Sequence, residues 1–204
     1  MIESAIITNV LHSFKDKIVS KKQLQKIFRD VLQDKYNQSL IHNLRRKKEI
    51  IYVFKGYYYI VSPEEKIGLY HAYSVNEMVY AVLNKSNISW YLGLDSALEK
   101  NYLIWQSVAR PIIINDSISG EKTILNIPYE FHKMKRRFLT FGYIKKKTKN
   151  RITYYYSTPE KTLIDYYYFH EKPPSMLKQF NKNNNTRNYL KQYPKSFKKK
   201  VFYP

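Results

Sequence analysis

Cysteine is absent from this chain of 204 residues, and glycine occurs only five times. The first absence excludes disulfides, CxxC zinc sites and thiol nucleophiles. The five glycines stand apart at positions 56, 68, 93, 120 and 142, so there is no glycine-rich loop to cradle a dinucleotide or a triphosphate. Acid is scarce as well: sixteen Asp and Glu face thirty-six Lys and Arg, a formal charge of +20. Long apolar runs are missing, since pieces such as 50–54 fall far short of the roughly 18 residues of a membrane span. The first residues carry Glu3 and no basic patch ahead of an apolar run, so neither a signal peptide nor a membrane contact is expected, and the expected compartment is the cytoplasm. The five histidines have no HExxH or other metal-ligand spacing. No cofactor, metal or catalytic residue is therefore expected.

What is present is a folded, basic protein. A hydrophobic share of 44% is too high for a disordered chain, and the excess of positive charge favours anionic partners. Three stretches are basic and free of acid: 45–48, 133–151 and 178–204. The last holds eight basic residues and an Asn-rich run, and is expected to be a poorly ordered arm. Between two patterned regions, Ser62-Pro63-Glu64-Glu65-Lys66 has the composition of a linker. The expected organisation is an N-terminal domain over 1–62, an α+β domain over 69–177 and the basic tail over 178–204.

The N-terminal region has helical periodicity over 2–14, with apolar residues at 2, 6, 7, 10, 11 and 14. Ile18-Val19 is a short extended piece, and Ser20 can cap a helix carrying Leu24, Ile27 and Phe28. A third helix is expected over 37–48, with Leu40, Ile41 and Leu44 turned inward. Two β-rich runs, 50–54 and 57–61, are joined by Lys55-Gly56, a hairpin turn in which glycine supplies positive φ. Helix, strand, helix, helix, hairpin is the order of a winged helix-turn-helix.

The third helix is then the one to enter the major groove of duplex DNA. At 100° per residue, burying 40, 41 and 44 turns Ser39, His42 and Arg46 outward, with Gln38, Asn43 and Arg45 on the flanks. Arg can address guanine, Gln or Asn adenine, and Ser either. Lys47 and Lys48 are expected to hold phosphates, and Lys55 to reach the backbone or minor groove from the wing tip.

From residue 69 the pattern is mixed. Ser74 and Glu77 form a capping box, Ser89 begins an expected helix over 90–99, and strands are expected at 111–114, 123–127, 138–143 and 151–156. Thr158 with Pro159 opens a last helix carrying Leu163, Ile164 and Tyr167, with Ser157 and Glu160 as a competing capping box. The expected fold class is α+β with a mostly antiparallel sheet.

Two of these segments, Trp90-Tyr91-Leu92-Gly93-Leu94-Asp95-Ser96-Ala97-Leu98-Glu99 and Ser157-Thr158-Pro159-Glu160-Lys161-Thr162-Leu163-Ile164-Asp165, follow a winged helix. Together they resemble the AbiEi-like abortive-infection antitoxins over about residues 5–170. The resemblance implies a type IV toxin–antitoxin antitoxin that represses its own operon through inverted repeats, as a monomer or dimer on DNA. It also implies a nucleotidyltransferase-like toxin encoded next door, and it carries no catalytic residue. The alternative is a nucleic-acid enzyme delivered by the winged helix. Its metal would need paired carboxylates, for which Asp95 with Glu99, or Glu160 with Asp165, are the candidates. The terminus of a helix already explains Glu160.

Overall fold

The computed structural model describes residues 2–14, 16–32 and 39–202, which form an α+β protein of two compact units, 1–82 and 83–204. Among the described residues, no helix is long and apolar enough to cross a membrane.

Unit 1 runs α1 (Ile2–His12), β1 (Ile18–Ser20), α2 (Lys21–Leu32), α3 (Ser39–Arg46), β2 (Ile50–Tyr52), β3 (Tyr57–Ile60) and α4 (Pro63–Gly68), and the division falls inside α5 (Val75–Lys85). The three strands form an antiparallel sheet in the order β1-β3-β2, with Val19 opposite Tyr58 and Tyr58 opposite Tyr52. Leu11, Leu24, Phe28, Ile41 and Leu44 close a core over it with Val19, Ile50, Tyr58 and Ile60. The caps are those the residue types dictate. The Ser20 hydroxyl accepts from the Gln23 N–H while the Gln23 side chain accepts from the Ser20 N–H, at 3.2 and 2.8 Å. Ser74 and Glu77 do the same ahead of α5.

The expected linker at 62–66 is instead the start of α4, and Glu65 explains why. Its carboxylate is 2% exposed and accepts from Lys17 at 2.7 Å, the Ser62 N–H at 2.7 Å, the Ala72 N–H at 2.5 Å and the Tyr59 hydroxyl. A buried carboxylate needs such donors. They fasten the segment to β3 and to the chain ahead of β1.

Unit 2 contains β4 (Trp90–Leu92), α6 (Leu94–Lys100), β5 (Ile112–Asn115), β6 (Gly120–Ile124), β7 (Ile127–Lys133), β8 (Tyr143–Lys147), β9 (Thr153–Ser157), α7 (Pro159–Tyr168), α8 (Asn184–Leu190) and α9 (Lys195–Phe202). The six-stranded sheet has the order β6-β7-β5-β4-β9-β8. It is mixed: β5 pairs with β7 and β4 with β9 in parallel, and the other three pairings are antiparallel.

Several sequence expectations are corrected here. Trp90-Tyr91-Leu92 is a central, buried strand and not the first turn of a helix, which begins only at Leu94. Gly93 lets the chain pass close to β5 at this point, where a Cβ would collide with the Ile114 side chain. The expected strand at 123–127 straddles the turn between β6 and β7, and the one at 138–143 ends where β8 begins. Thr158 caps α7 as read, its hydroxyl accepting from the Lys161 N–H, with Pro159 in the first turn.

The expected disordered arm is largely helical and packed. Leu177, Leu190, Tyr193 and Val201 belong to the core of unit 2, and Tyr193 stacks on Phe138 with centroids 4.2 Å apart. Tyr189, Tyr193 and Phe197, spaced by four, place aromatic rings against this core among the Lys and Asn residues that dominate the composition.

Candidate nucleic-acid interface

α3 is short, and its two faces differ sharply. Ile41 and Leu44, three apart, are buried, Leu40 is half-buried, and Ser39, His42, Arg45 and Arg46 are exposed. Asn43 is half-buried on the flank. Gln38 lies outside the described residues. The Arg45 guanidinium sits over the Tyr52 ring, 5.7 Å from its centroid, and Tyr52 meets Tyr58 edge-on at 5.5 Å. Burial pushes the Tyr58 phenol pKa up, and the neighbouring Arg45 charge pulls against that shift. Arg45 is thus braced from below by β2, a cation–π contact that helical periodicity alone does not indicate.

The helix closes in a Schellman turn. The Lys48 N–H donates to the Arg45 carbonyl at 3.0 Å and the Glu49 N–H to that of Leu44 at 2.9 Å, with Lys48 itself at φ 56°. Lys47 and Lys48 are both exposed at this end. In the β2–β3 hairpin the Tyr57 N–H donates to the Phe54 carbonyl at 3.0 Å, across Lys55 at φ 52° and Gly56 at φ 75°. Two positive φ values make it a type I′ turn, the form that matches the twist of a two-stranded ribbon. Lys55 is exposed at its tip. Unit 1 carries one further basic feature outside the expected set: Lys22, Lys26 and Arg29 form an exposed row along α2. Their spacing of four and three residues was the available signal.

The carboxylates considered for metal-assisted chemistry are engaged separately. Asp95 accepts from the Tyr166 hydroxyl, and Glu99 from the Val108 N–H at 2.9 Å and from Lys100 at 2.8 Å. Glu160 accepts from the Asn183 amide at 3.0 Å. Asp165 is fully buried against Lys161, and the Tyr91 hydroxyl bridges the two, accepting from Lys161 at 2.8 Å and donating to Asp165 at 2.9 Å. Burial pushes the Lys161 ammonium down and the Asp165 carboxyl up, and their mutual attraction opposes both shifts. Among the described residues, no three His, Cys, Asp or Glu side chains gather as a metal site would require.

No protein-family model and no curated protein matches the chain. A structural likeness exists to the RV2827C protein from Mycobacterium tuberculosis, with a TM-score of 0.61 and 15% identity, over 97% of this chain and 74% of that one. At that identity the likeness concerns the fold alone.

Proposed function

We propose that the N-terminal region is a winged helix that reads duplex DNA, with α3 in the major groove and the β2–β3 hairpin as the wing. The observation that carries this reading is the division of α3. Its Ile41 and Leu44 side is anchored in the core, while Ser39, His42, Arg45 and Arg46 face outward in the same unit as the Lys55 tip. On this reading Arg46 and His42 meet base edges, and Arg45, braced on Tyr52, reads a base or a phosphate beside them. Lys47, Lys48 and Lys55, with the row on α2, neutralise phosphates. On this reading the protein is a cytoplasmic transcriptional autorepressor acting on an inverted-repeat operator. The motif resemblance supports a role as the antitoxin of a type IV system, paired with a nucleotidyltransferase-like toxin.

The test compares an operator duplex, selected from random sequence with the full chain, against an unselected duplex. Arg46→Ala is expected to cost about 1–3 kcal/mol on the selected site and far less on the other. Lys55→Ala is expected to weaken both alike and to lower the salt slope of log K by roughly one unit. Equal losses for Arg46→Ala on both duplexes would reduce α3 to a phosphate grip. No loss for either variant would remove the DNA-binding reading.

A further inference from the structure

Unit 2 carries an aromatic and basic face that the proposed DNA contacts leave unused. Across the β8–β9 hairpin, Ile144 stands opposite Tyr156 and Lys146 opposite Tyr154. Side chains alternate along a strand, so these four share one side of the hairpin, and Tyr143, Lys145, Lys147 and Tyr155 share the other. On the first side the Tyr154 and Tyr156 rings lie 6.2 Å apart and 26° from parallel. The loop after α6 brings Tyr102 and Trp105 to the same place, where the rings, Lys100 and Lys146 border an open cleft of about 610 Å³. Tyr102 is 94% exposed and Trp105 91%. Two large neighbouring rings left in water forgo the burial that aromatic side chains ordinarily bring to a core, which marks the cleft as a place for a partner.

Charge selects the class of that partner. Residues 131–159 hold nine Lys and Arg and no Asp or Glu, and Lys145, Lys146, Lys147, Lys149 and Arg151 are exposed. The acid at the cleft, Glu99, is already held by Lys100 and the Val108 N–H. The ligand is therefore anionic. The rings select further. Apart from Ile104, the described side chains bordering the cleft are aromatic or charged, so an aliphatic peptide anchor finds little to grip there. Flat, exposed rings are matched by the flat faces of nucleobases. Duplex DNA keeps those faces stacked inside the helix, whereas the loops and ends of RNA display them.

The geometry points to a second nucleic-acid site, on unit 2, that takes single-stranded RNA. Bases stack on Trp105, Tyr102 and Tyr154, and Lys146, on the same side of the hairpin, takes a phosphate. The site rests on unit 2 alone and stands or falls independently of α3.

The chain has two tryptophans, and Trp90 is buried, so a Trp90→Phe background leaves Trp105 as the reporter. Adding a short oligouridylate to this full-length protein is expected to quench its fluorescence saturably. Fluorescence anisotropy in the natural background is expected to show ~10-fold weaker binding for Trp105→Ala and for Tyr102→Ala. Lys146→Ala is expected to flatten the salt slope by about 0.7. Both rings are exposed, so circular dichroism melts of the variants should match the parent. Affinity for duplex DNA should be unchanged by the ring substitutions. Absent quenching, or ring variants that bind oligouridylate like the parent, would overturn the site. So would equal losses on duplex DNA, which would make the face a general electrostatic surface. Tighter binding of the matching oligodeoxyuridylate would overturn the RNA assignment, and equal quenching by polyglutamate would make the cleft a protein-docking face instead.

Discussion

Glu65 shows how much one side chain organises in unit 1. Burial by itself would push its carboxyl pKa up, but the donors from Lys17, Tyr59, Ser62 and Ala72 outweigh that and hold it at about 2, against an ordinary 4.5. A carboxyl lowered on folding contributes stability that is complete above its ordinary value and disappears as the pH falls towards the folded value. Unit 1 is therefore expected to lose stability between about pH 4.5 and 2, and Glu65→Gln to flatten part of that decline in urea melts across the range. At neutral pH, Glu65→Ala is expected to cost about 2–4 kcal/mol, because the Tyr59 hydroxyl and two backbone N–H groups lose their acceptor in a buried site. If Glu65→Ala melted like the parent, the network would have no hold on the segment. None of this was readable in Ser62-Pro63-Glu64-Glu65-Lys66, where charge and proline have the composition of a linker. The network depends on Lys17, 48 residues away, and on Tyr59 in the preceding strand, and only the fold brings both to the carboxylate.

Among the elements, those that follow a local rule were readable and those that depend on remote partners were not. α1, α2 and α3 each present an apolar stripe at helical spacing, and the Lys55-Gly56 turn has its own chemistry, so the order from α1 to β3 follows from short-range pattern. β4 did not, because a short apolar run is equally compatible with a helix or a buried strand. Its state is decided by β5 on one side and β9 on the other. The C-terminal helices were hidden by composition, since Lys and Asn outnumber the few residues that dock. Truncation before residue 175 removes Leu177, Leu190, Tyr193 and Val201 from the core, each worth about 1.5–3 kcal/mol when buried. That loss is comparable with the roughly 5–15 kcal/mol that holds a whole domain together. The truncated protein is expected to be insoluble or to lack a cooperative melt, whereas a flexible arm could be removed without effect. The milder Leu190→Ala should cost about 2–5 kcal/mol in chemical denaturation.

At the scale of the whole molecule, the division between the compact units falls within α5, later in the chain than the composition break at 62–66 suggested. A fragment ending at Lys85 keeps α5 whole and retains Glu65, whereas one ending at Val61 leaves Lys17 and the Tyr59 hydroxyl without their carboxylate. The longer fragment is expected to show a cooperative thermal melt and the shorter one to melt lower or without cooperativity. Identical melts would place the boundary back at residue 62. The sequence by itself determined the basic character of the molecule, the α+β class, the caps at Ser20, Ser74 and Thr158, and the outward set Ser39, His42 and Arg46. Each of these follows from charge, from helical period or from a hydrogen bond spanning three residues. Tertiary structure alone decided that Arg45 rests on Tyr52 and that Lys161, Asp165 and Tyr91 share a buried contact. It also brought Tyr102 and Trp105 beside the β8–β9 hairpin and made the C-terminal segment part of a core. Each of these contacts draws on different secondary-structure elements, from Arg45 and Tyr52 to Tyr91 and Asp165, and its energy exists only once the backbone has brought those elements together.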